Sequence, residues 1–413
     1  MCDMKKDWEV KKLGEICEII GGGTPSKKND KFYEGTIRWA TVRDMKSEVI
    51  TETEFKITDE AVKKSSTHII PKKNVVIATR VGLGKICLIE NDTAINQDLR
   101  GVIPKNSNQL NVGYLFHWFK SISNKIVAEG KGATVQGVTL PFIKNIEIPL
   151  PPLPEQKRIV SVLDKCFTAI NKVKANAEQN LKNTKELFES YLQGVFLKKG
   201  KDWEEKQLGD LCLLITKGSS PKWQGIKYVN KPGILFVTSE NVGDRELLLE
   251  TRKYVEEKFN IKDKKSILKK GDVLTNIVGA SIGRTAIYNI DDVANINQAV
   301  CILRCNPKLI LNTYLMNLLN SQILREIFHD NEVNTARANL SLSFFNKLSV
   351  PLPSLKVQQS IVNQLDTLKT QTQKLETVYN KKISDLDELK KSILQEAFRG
   401  KLSTEATIKL LRK

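Results

Sequence analysis

The sequence predicts an α+β protein: two globular domains joined by two long helices that form an antiparallel coiled coil, with internal pseudo-two-fold symmetry. Three observations predict it. A repeat of about 200 residues runs through the 413-residue chain, a Pro-rich connector closes the β-rich part of each copy, and a heptad pattern follows each connector.

The repeat is legible residue by residue. Trp8 to Cys17 (WEVKKLGEIC) returns as Trp203 to Cys212 (WEEKQLGDLC), and GGGTPSK, from Gly21, is answered by KGSSPK, from Lys217. Asn96-Gln97 answers Asn297-Gln298, Pro149-Leu-Pro151 answers Pro351-Leu-Pro353, and Gln156, Ile159 and Leu163 answer Gln358, Ile361 and Leu365. Leu192 and Phe196 return as Leu394 and Phe398, and the offset drifts from 195 to 202, as loops of variable length on a kept scaffold require.

Each copy has two unlike parts. Residues 1–154 and 201–354 hold short β-branched runs split by Gly, Asn and Asp, with one helical pattern late in each, near Val112–Ala128 and Asn312–Phe328. These are the two globular domains. The connectors PLPPLPEQ and PLPSLKVQ follow, where proline holds the chain extended and marks a boundary before a helix.

Residues 155–200 and 355–413 are the two helical regions. Apolar positions alternate by four and three: Ile159, Leu163, Cys166, Ile170, Val173, Ala177, Asn180, Thr184, Leu187 and Tyr191, then Ile361, Leu365, Leu368, Thr372, Leu375, Tyr379, Lys382, Leu386, Leu389 and Ile393. Some 40 residues of helix make a rod on the order of 60 Å long. Asn180, Thr184, Thr372 and Lys382 interrupt the seam; either they fix the register of pairing or they lie on a drifting, partly exposed face. Two such helices related by a duplication pack antiparallel and set the globular domains at opposite ends, as a dumbbell.

Composition narrows the function. Lys+Arg number 65 against 47 Asp+Glu, a net charge of +18. That balance points to a polyanion, nucleic acid or an anionic membrane surface. The charge is evenly shared: +4, +5, +4 and +5 for residues 1–155, 156–200, 201–355 and 356–413. No segment is a polybasic membrane anchor or an apolar span, and Met1–Asp7 lacks the apolar core of a signal peptide, so the cytoplasm is the expected compartment. The seven cysteines (2, 17, 87, 166, 212, 301, 305) show no close pair at metal-ligand spacing; Cys301 and Cys305 suit a packed strand face.

No catalytic constellation is expected, and no metal site. His68, His117 and His329 are far apart, and Gly82-Leu-Gly-Lys85 lacks the spacing and hydroxyl of a phosphate-binding G-x-x-x-x-G-K-S/T loop. Recognition chemistry remains. Thr24, Ser26, Lys27 and Lys28 follow a glycine turn whose N–H groups could approach a phosphate, and Lys217, Ser219, Ser220 and Lys222 repeat it. Thr41 and Arg43, with Thr238, Ser239 and Asn241, end a predicted strand, where arginine suits guanine and asparagine adenine. Arg80, Lys85, Gln97 and Arg100, with Asn276, Arg284, Gln298 and Arg337, complete the candidate DNA-binding set. The Asn-Gln pairs have a second reading: they satisfy buried backbone in both copies.

Trp8-Glu-x-x-x-Leu-Gly, GGGTPS, the Asn-Gln pairs, Leu150 to Gln156 with Ile159-Val-x-x-Leu163, and Leu394-Gln395-x-x-Phe398-x-Gly400-Lys-Leu402 together resemble the specificity subunits of type I restriction–modification enzymes, over essentially the whole chain. The resemblance implies two target recognition domains, each reading one half of an interrupted site in double-stranded DNA. It implies a helical spacer that sets the gap and docks two methyltransferase subunits, with restriction subunits of translocase activity completing the assembly. S-adenosylmethionine, ATP and magnesium would then bind the partners, not this chain. Copy two departs at Ser354-Leu-Lys-Val in its connector. Two other classes compete: a free-standing DNA-binding or architectural protein dimerised by its coiled coil, and a nuclease with an unrecognised site.

Overall fold

The β-branched runs fold as short strands and the heptad segments as single long helices, in a computed structural model that describes residues 8–131, 137–198, 200–331 and 338–402. The expectations placed on Met1–Asp7, Cys2 and Arg337 fall outside the described residues. The chain divides into two units, Met1–Ala177 with Lys381–Lys413, and Glu178–Asn380. Each unit holds one β-rich domain and a stretch of both long helices, Leu153–Leu197 and Leu355–Phe398.

The first unit has three sheets. Glu9–Lys12 pairs antiparallel with Glu147–Leu150, which brings the start of the domain to its connector. A five-stranded sheet runs Cys17–Gly21, Leu99–Pro104, Val75–Ala78, Ile86–Ile89 and Val49–Ile50. A four-stranded sheet runs Phe55–Ile57, Ile37–Ala40, Thr93–Ile95 and His68–Ile70, with its two central strands parallel. The second unit follows a similar plan: Glu204–Gln207 pairs with Ser349–Leu352, one four-stranded sheet has Val300–Cys305 and Val273–Asn276 at its centre, and in another Ile234–Val237 runs parallel to the edge strand Ala294–Ile296. Cys301 and Cys305 both lie on the Val300–Cys305 strand, Cys301 fully buried.

The late helical pattern breaks into two helices in each unit. Val112–Ser121 is followed by Ser123–Ala128, and Asn312–Leu319 by Gln322–Asp330. A serine stands at both breaks. Ser121 Oγ donates to the Trp118 carbonyl and Ser321 Oγ to the Leu318 carbonyl, each at 2.6 Å, capturing acceptors at the helix end.

Each domain is fixed to its long helix through glutamine. Gln156, fully buried, accepts from the Asn111 N–H at 2.8 Å and donates to the carbonyls of Gln109 and Pro151 at 2.9 and 2.8 Å. Gln358 does the same with the Leu311 N–H and the Leu309 and Pro353 carbonyls, at 2.8, 3.0 and 2.9 Å. Tyr114 and Tyr314 add hydroxyls donated to the Pro149 and Pro351 carbonyls, both at 2.8 Å. Pro154 sits in the first turn of its helix, where a missing N–H costs nothing.

Within each unit the two long helices run antiparallel. In the first, Arg158 donates to the Leu402 carbonyl at 3.0 Å, and Lys174, sixteen residues on, pairs with Asp387 at 2.7 Å. Ile159, Leu163 and Ile170 share a core there with Ile393, Ala397 and Phe398. In the second, Phe188, Leu192 and Phe196 pack with Ile361, Val362 and Leu365. The seam departs from the expected spacing: Val173, Leu187, Tyr191 and Leu375 are exposed, while Thr184, Phe188, Leu192 and Phe196 are buried at intervals of four. A straight helix at 3.6 residues per turn drifts off a strict heptad, and this stripe follows the drift. Asn180 and Lys382 are exposed, as the drifting-face reading has it, whereas Thr184 and Thr372 are buried in the seam with their hydroxyls donated to carbonyls of their own helix. Among the described residues no helix is long and apolar enough to cross a membrane.

Candidate nucleic-acid interface

In the first unit the parallel strands Ile37–Ala40 and Thr93–Ile95 end side by side, with Ala40 opposite Ile95 and the Asn96 N–H donating to the Ala40 carbonyl at 3.0 Å. A turn leaves each strand end. After Ala40, Thr41 caps a 3-10 turn over Val42–Asp44: its hydroxyl accepts from the Arg43 N–H at 3.2 Å, while Asp44 accepts from the Thr41 N–H at 2.7 Å. After Ile95, the buried Asn96 accepts from the Asp98 N–H at 3.1 Å and leaves Gln97 exposed. The two members of the pair therefore differ: asparagine is buried and holds the backbone, while glutamine is exposed.

The glycine turn closes the same corner. A Cβ on Gly22 would lie 2.2 Å from the carbonyl oxygens of Ile95 and Asn96, so only glycine lets the segment cross there. Gly23 gives its N–H to the Ile95 carbonyl at 3.0 Å, and its own carbonyl accepts from Trp39 Nε1 at 3.1 Å and Thr67 Oγ1 at 2.6 Å. In this turn the Gly23 N–H is already committed to the sheet and is not open to a phosphate. Its product is position, for Thr24 donates its hydroxyl to the Gln97 side-chain oxygen.

The three segments enclose an open cleft of about 750 Å³. Thr24, Lys27, Thr41, Arg43 and Gln97 line it together, five of the candidates drawn from three stretches of sequence. Ser26, Lys28 and Lys85 are exposed outside it. Arg80 reaches Asp98 at 3.6 Å. Arg100 is half-buried and donates to the Gln97 and Leu99 carbonyls at 3.0 and 2.8 Å; burial, then the neighbouring Arg80 charge, hold its pKa below the usual arginine range. The sequence reading misses the cleft's aromatic wall. Tyr33, Trp39 and Phe55 stand edge-to-face with ring centres 5.9 to 6.4 Å apart.

The second unit builds the same corner. Val237 lies opposite Ile296, the Asn297 N–H donates to the Val237 carbonyl at 3.1 Å, and Asn297 accepts from the Ala299 N–H at 3.1 Å, leaving Gln298 exposed. Thr238 precedes the 3-10 turn Ser239–Asn241, and Asn241 accepts from the Thr238 N–H at 3.0 Å. Gly218 stands for Gly22: a Cβ there would lie 1.9 Å from the Ile296 carbonyl oxygen. Lys217 and Ser220 are half-buried, and Lys222 and Arg284 are exposed.

Four candidates in this unit are corrected. Asn276 is 0% exposed, and its amide donates to the Ser239 and Val242 carbonyls at 2.9 and 3.3 Å, so it ties the strand to the turn and offers nothing to DNA. Asn241 is buried and spends its amide on the Leu248 and Thr251 carbonyls at 2.9 and 3.2 Å. Thr238 is buried with its hydroxyl on Asn241, and Ser219 is held between Asp263 and Gln224. Ser239 remains half-buried beside Glu240, an exposed residue the candidate set did not include.

The type I restriction modification DNA specificity domain matches residues 5–182 and, a second time, 200–384. The specificity subunit of the type I restriction enzyme MjaIX of Methanocaldococcus jannaschii is 32% identical over 244 residues, 54% of this chain and 56% of that protein. The chain thus spans about half the length of that relative. The MjaVIII specificity subunit of the same organism is 23% identical over 412 residues, 96% of this chain and 93% of that one. Among solved structures, a chain from work on complex assembly and conformational transition of the type I R-M system superposes with a TM-score of 0.78 at 23% identity, covering 97% of this chain and 99% of that one. The HsdS subunit from Thermoanaerobacter tengcongensis superposes at 0.64 and 22% identity, covering 97% and 98%. The fold of the chain is that of these subunits, and with both of its copies matched, the chain belongs to the type I restriction modification DNA specificity family.

Proposed function

We propose that this chain is the sequence-specific DNA-binding subunit of a type I restriction–modification complex. Each β-rich domain reads one half of a bipartite site in double-stranded DNA. The chain directs two methyltransferase subunits and restriction/translocase subunits to that site. In this reading it is cytoplasmic and performs no catalysis: S-adenosylmethionine, ATP and magnesium act on the partners.

The observation that carries the proposal is the repeated corner. Both units end two adjacent parallel strands in a Thr-capped turn and an Asn-Gln turn, pinned by a glycine crossing. Two like heads with unlike exposed side chains suit a site of two unlike halves. The net charge of +18 supports a duplex partner.

Exchanging residues 1–154 for another recognition domain tests the division of labour. Sequencing of methylated sites in cells carrying the chimera and its partner subunits should show one half-site changed and the other kept. Both halves altered would overturn it. Tight site-specific binding by the isolated chain, indifferent to added methyltransferase subunits, would favour a free-standing DNA-binding protein instead.

A further inference from the structure

We infer that Arg43 and Glu240 are the base-discriminating side chains of the two domains, Arg43 set to read guanine and Glu240 cytosine; this rests on the DNA-reading proposal above and deepens it. The two residues hold one structural position. Each stands two residues after the threonine that caps the turn, and each turn leaves a strand whose last residue faces an isoleucine of the parallel neighbour. Asp44 and Asn241 close the two turns onto the threonine N–H groups in the same way. The frame is therefore common to both domains.

What stands on the frame is opposite in charge. The Arg43 side chain is 76% exposed and lies 3.6 Å from Glu54; the Glu240 side chain is 74% exposed and lies 2.7 Å from Lys253. Glu54 and Lys253 are equivalent in their turn, each the residue just before the strand that flanks the capped one, Phe55–Ile57 or Tyr254–Val255. Both members of the ion pair are thus inverted together. Neither side chain is fixed by packing, and an exposed pair of this kind is worth little to stability in either orientation.

The sign decides the role. Phosphate is the same on every stretch of duplex, so a residue that only grips the backbone is basic in both domains. A carboxylate near phosphates is repelled and is useful at a DNA-facing position only against a base donor. Cytosine N4 is such a donor in the major groove, and the arginine fork matches guanine O6 and N7. The counter-charge beside each residue limits its rotamers before DNA arrives, which lowers the entropy lost on contact.

The test is selection of bound duplexes by the full chain, assembled with type I methyltransferase subunits, from a library randomised across both half-sites. Arg43→Gln is expected to lose about tenfold of preference at a single position of one half-site, and Glu240→Gln the same at a single position of the other. Glu240→Arg is expected to reverse the orientation of the preferred C·G pair at its position. Unchanged base preferences in both glutamine variants, or a change in both half-sites from one of them, would overturn the inference while leaving DNA reading intact. A wild-type assembly that enriches no sequence overturns the DNA-reading proposal and the inference with it. Both residues are exposed, so unchanged melting temperatures should accompany the altered preferences.

Discussion

The two β-rich domains share a skeleton and differ in what they place on it. Gly22 and Gly218, Asn96 and Asn297, and Thr41 and Thr238 do the same backbone work in each. The aromatic contents diverge. Trp39, one residue before the strand end, is buried yet joins Tyr33 and the exposed Phe55 along a cleft, whereas Phe236 in the same place, also buried, packs with Tyr228 and Phe259 at centroid distances of 6.0 and 5.2 Å. The lesson is a separation of labour. Residues that satisfy main-chain atoms are repeated, and residues that face outward are free to differ.

The most damaging way to break this comparison is at the glycine crossing. Gly22→Ala and Gly218→Ala should each cost on the order of 3 kcal/mol, because the added methyl meets carbonyl oxygens with no room to retreat. Chemical denaturation of the two variants would expose an unshared frame if one were tolerated and the other not. Next is the glutamine clamp. Gln156→Ala and Gln358→Ala each leave a buried N–H and two carbonyls without partners, at about 2 to 3 kcal/mol, with near equality as the informative result.

A third pair sharpens the contrast. Four residues after the closing Asp44 and Asn241 stand Glu48 and Arg245, again opposite in charge. Each ties its domain to a long helix. Glu48 reaches Lys120 and Lys390 at 3.5 and 3.4 Å in a half-exposed setting. Arg245, only 8% exposed, forks onto Glu189 at 3.1 and 3.3 Å and lies 4.8 Å from the Phe188 ring centre. Arg245→Ala should cost about 1 to 2 kcal/mol and Glu48→Ala less than about 1 kcal/mol, read as a difference in urea midpoints. Equal losses would refute the asymmetry.

The smallest expected effect is in pH dependence, and it belongs to one unit. His117 is buried with Nε2 2.8 Å from Asp164, where its counterpart in the other unit is Asn317. Burial lowers its pKa, against the opposing pull of Asp164, so the folded state disfavours the proton that the unfolded chain accepts. Its contribution is then fully present above the ordinary histidine pKa and is lost as pH falls through that value toward the lowered one. Melting temperature should drop between about pH 7.5 and about pH 5.5, and drop less in His117→Asn. An identical drop in both proteins would locate the acid sensitivity elsewhere.

Much of this was legible in the chain. Strands and helices declare themselves through side-chain periodicity, and a duplication shows each signal twice, so Gln156 and Gln358 stood out before their partners were known. What stayed hidden depends on contacts distant in sequence. The glycines read as a phosphate loop because the carbonyls they must clear lie more than seventy residues on, at Ile95 and Asn96. Asn276 reads as a base contact at a strand end, yet its partners are loop carbonyls 34 and 37 residues earlier. The buried stripe shifts from Leu187 and Tyr191 to Phe188 and Leu192 because a seam is set by helix twist over many turns.

The clamps of Gln156 and Gln358 touch only main-chain atoms of the domains they hold. A socket that grips peptide groups is indifferent to the letters it grips. A domain of foreign sequence joined at the proline connector would still find these hydrogen bonds waiting for its main chain. This part of the joint works as a standard fitting, and only the side-chain ties beside it, such as Arg245 to Glu189, are particular to the resident domain.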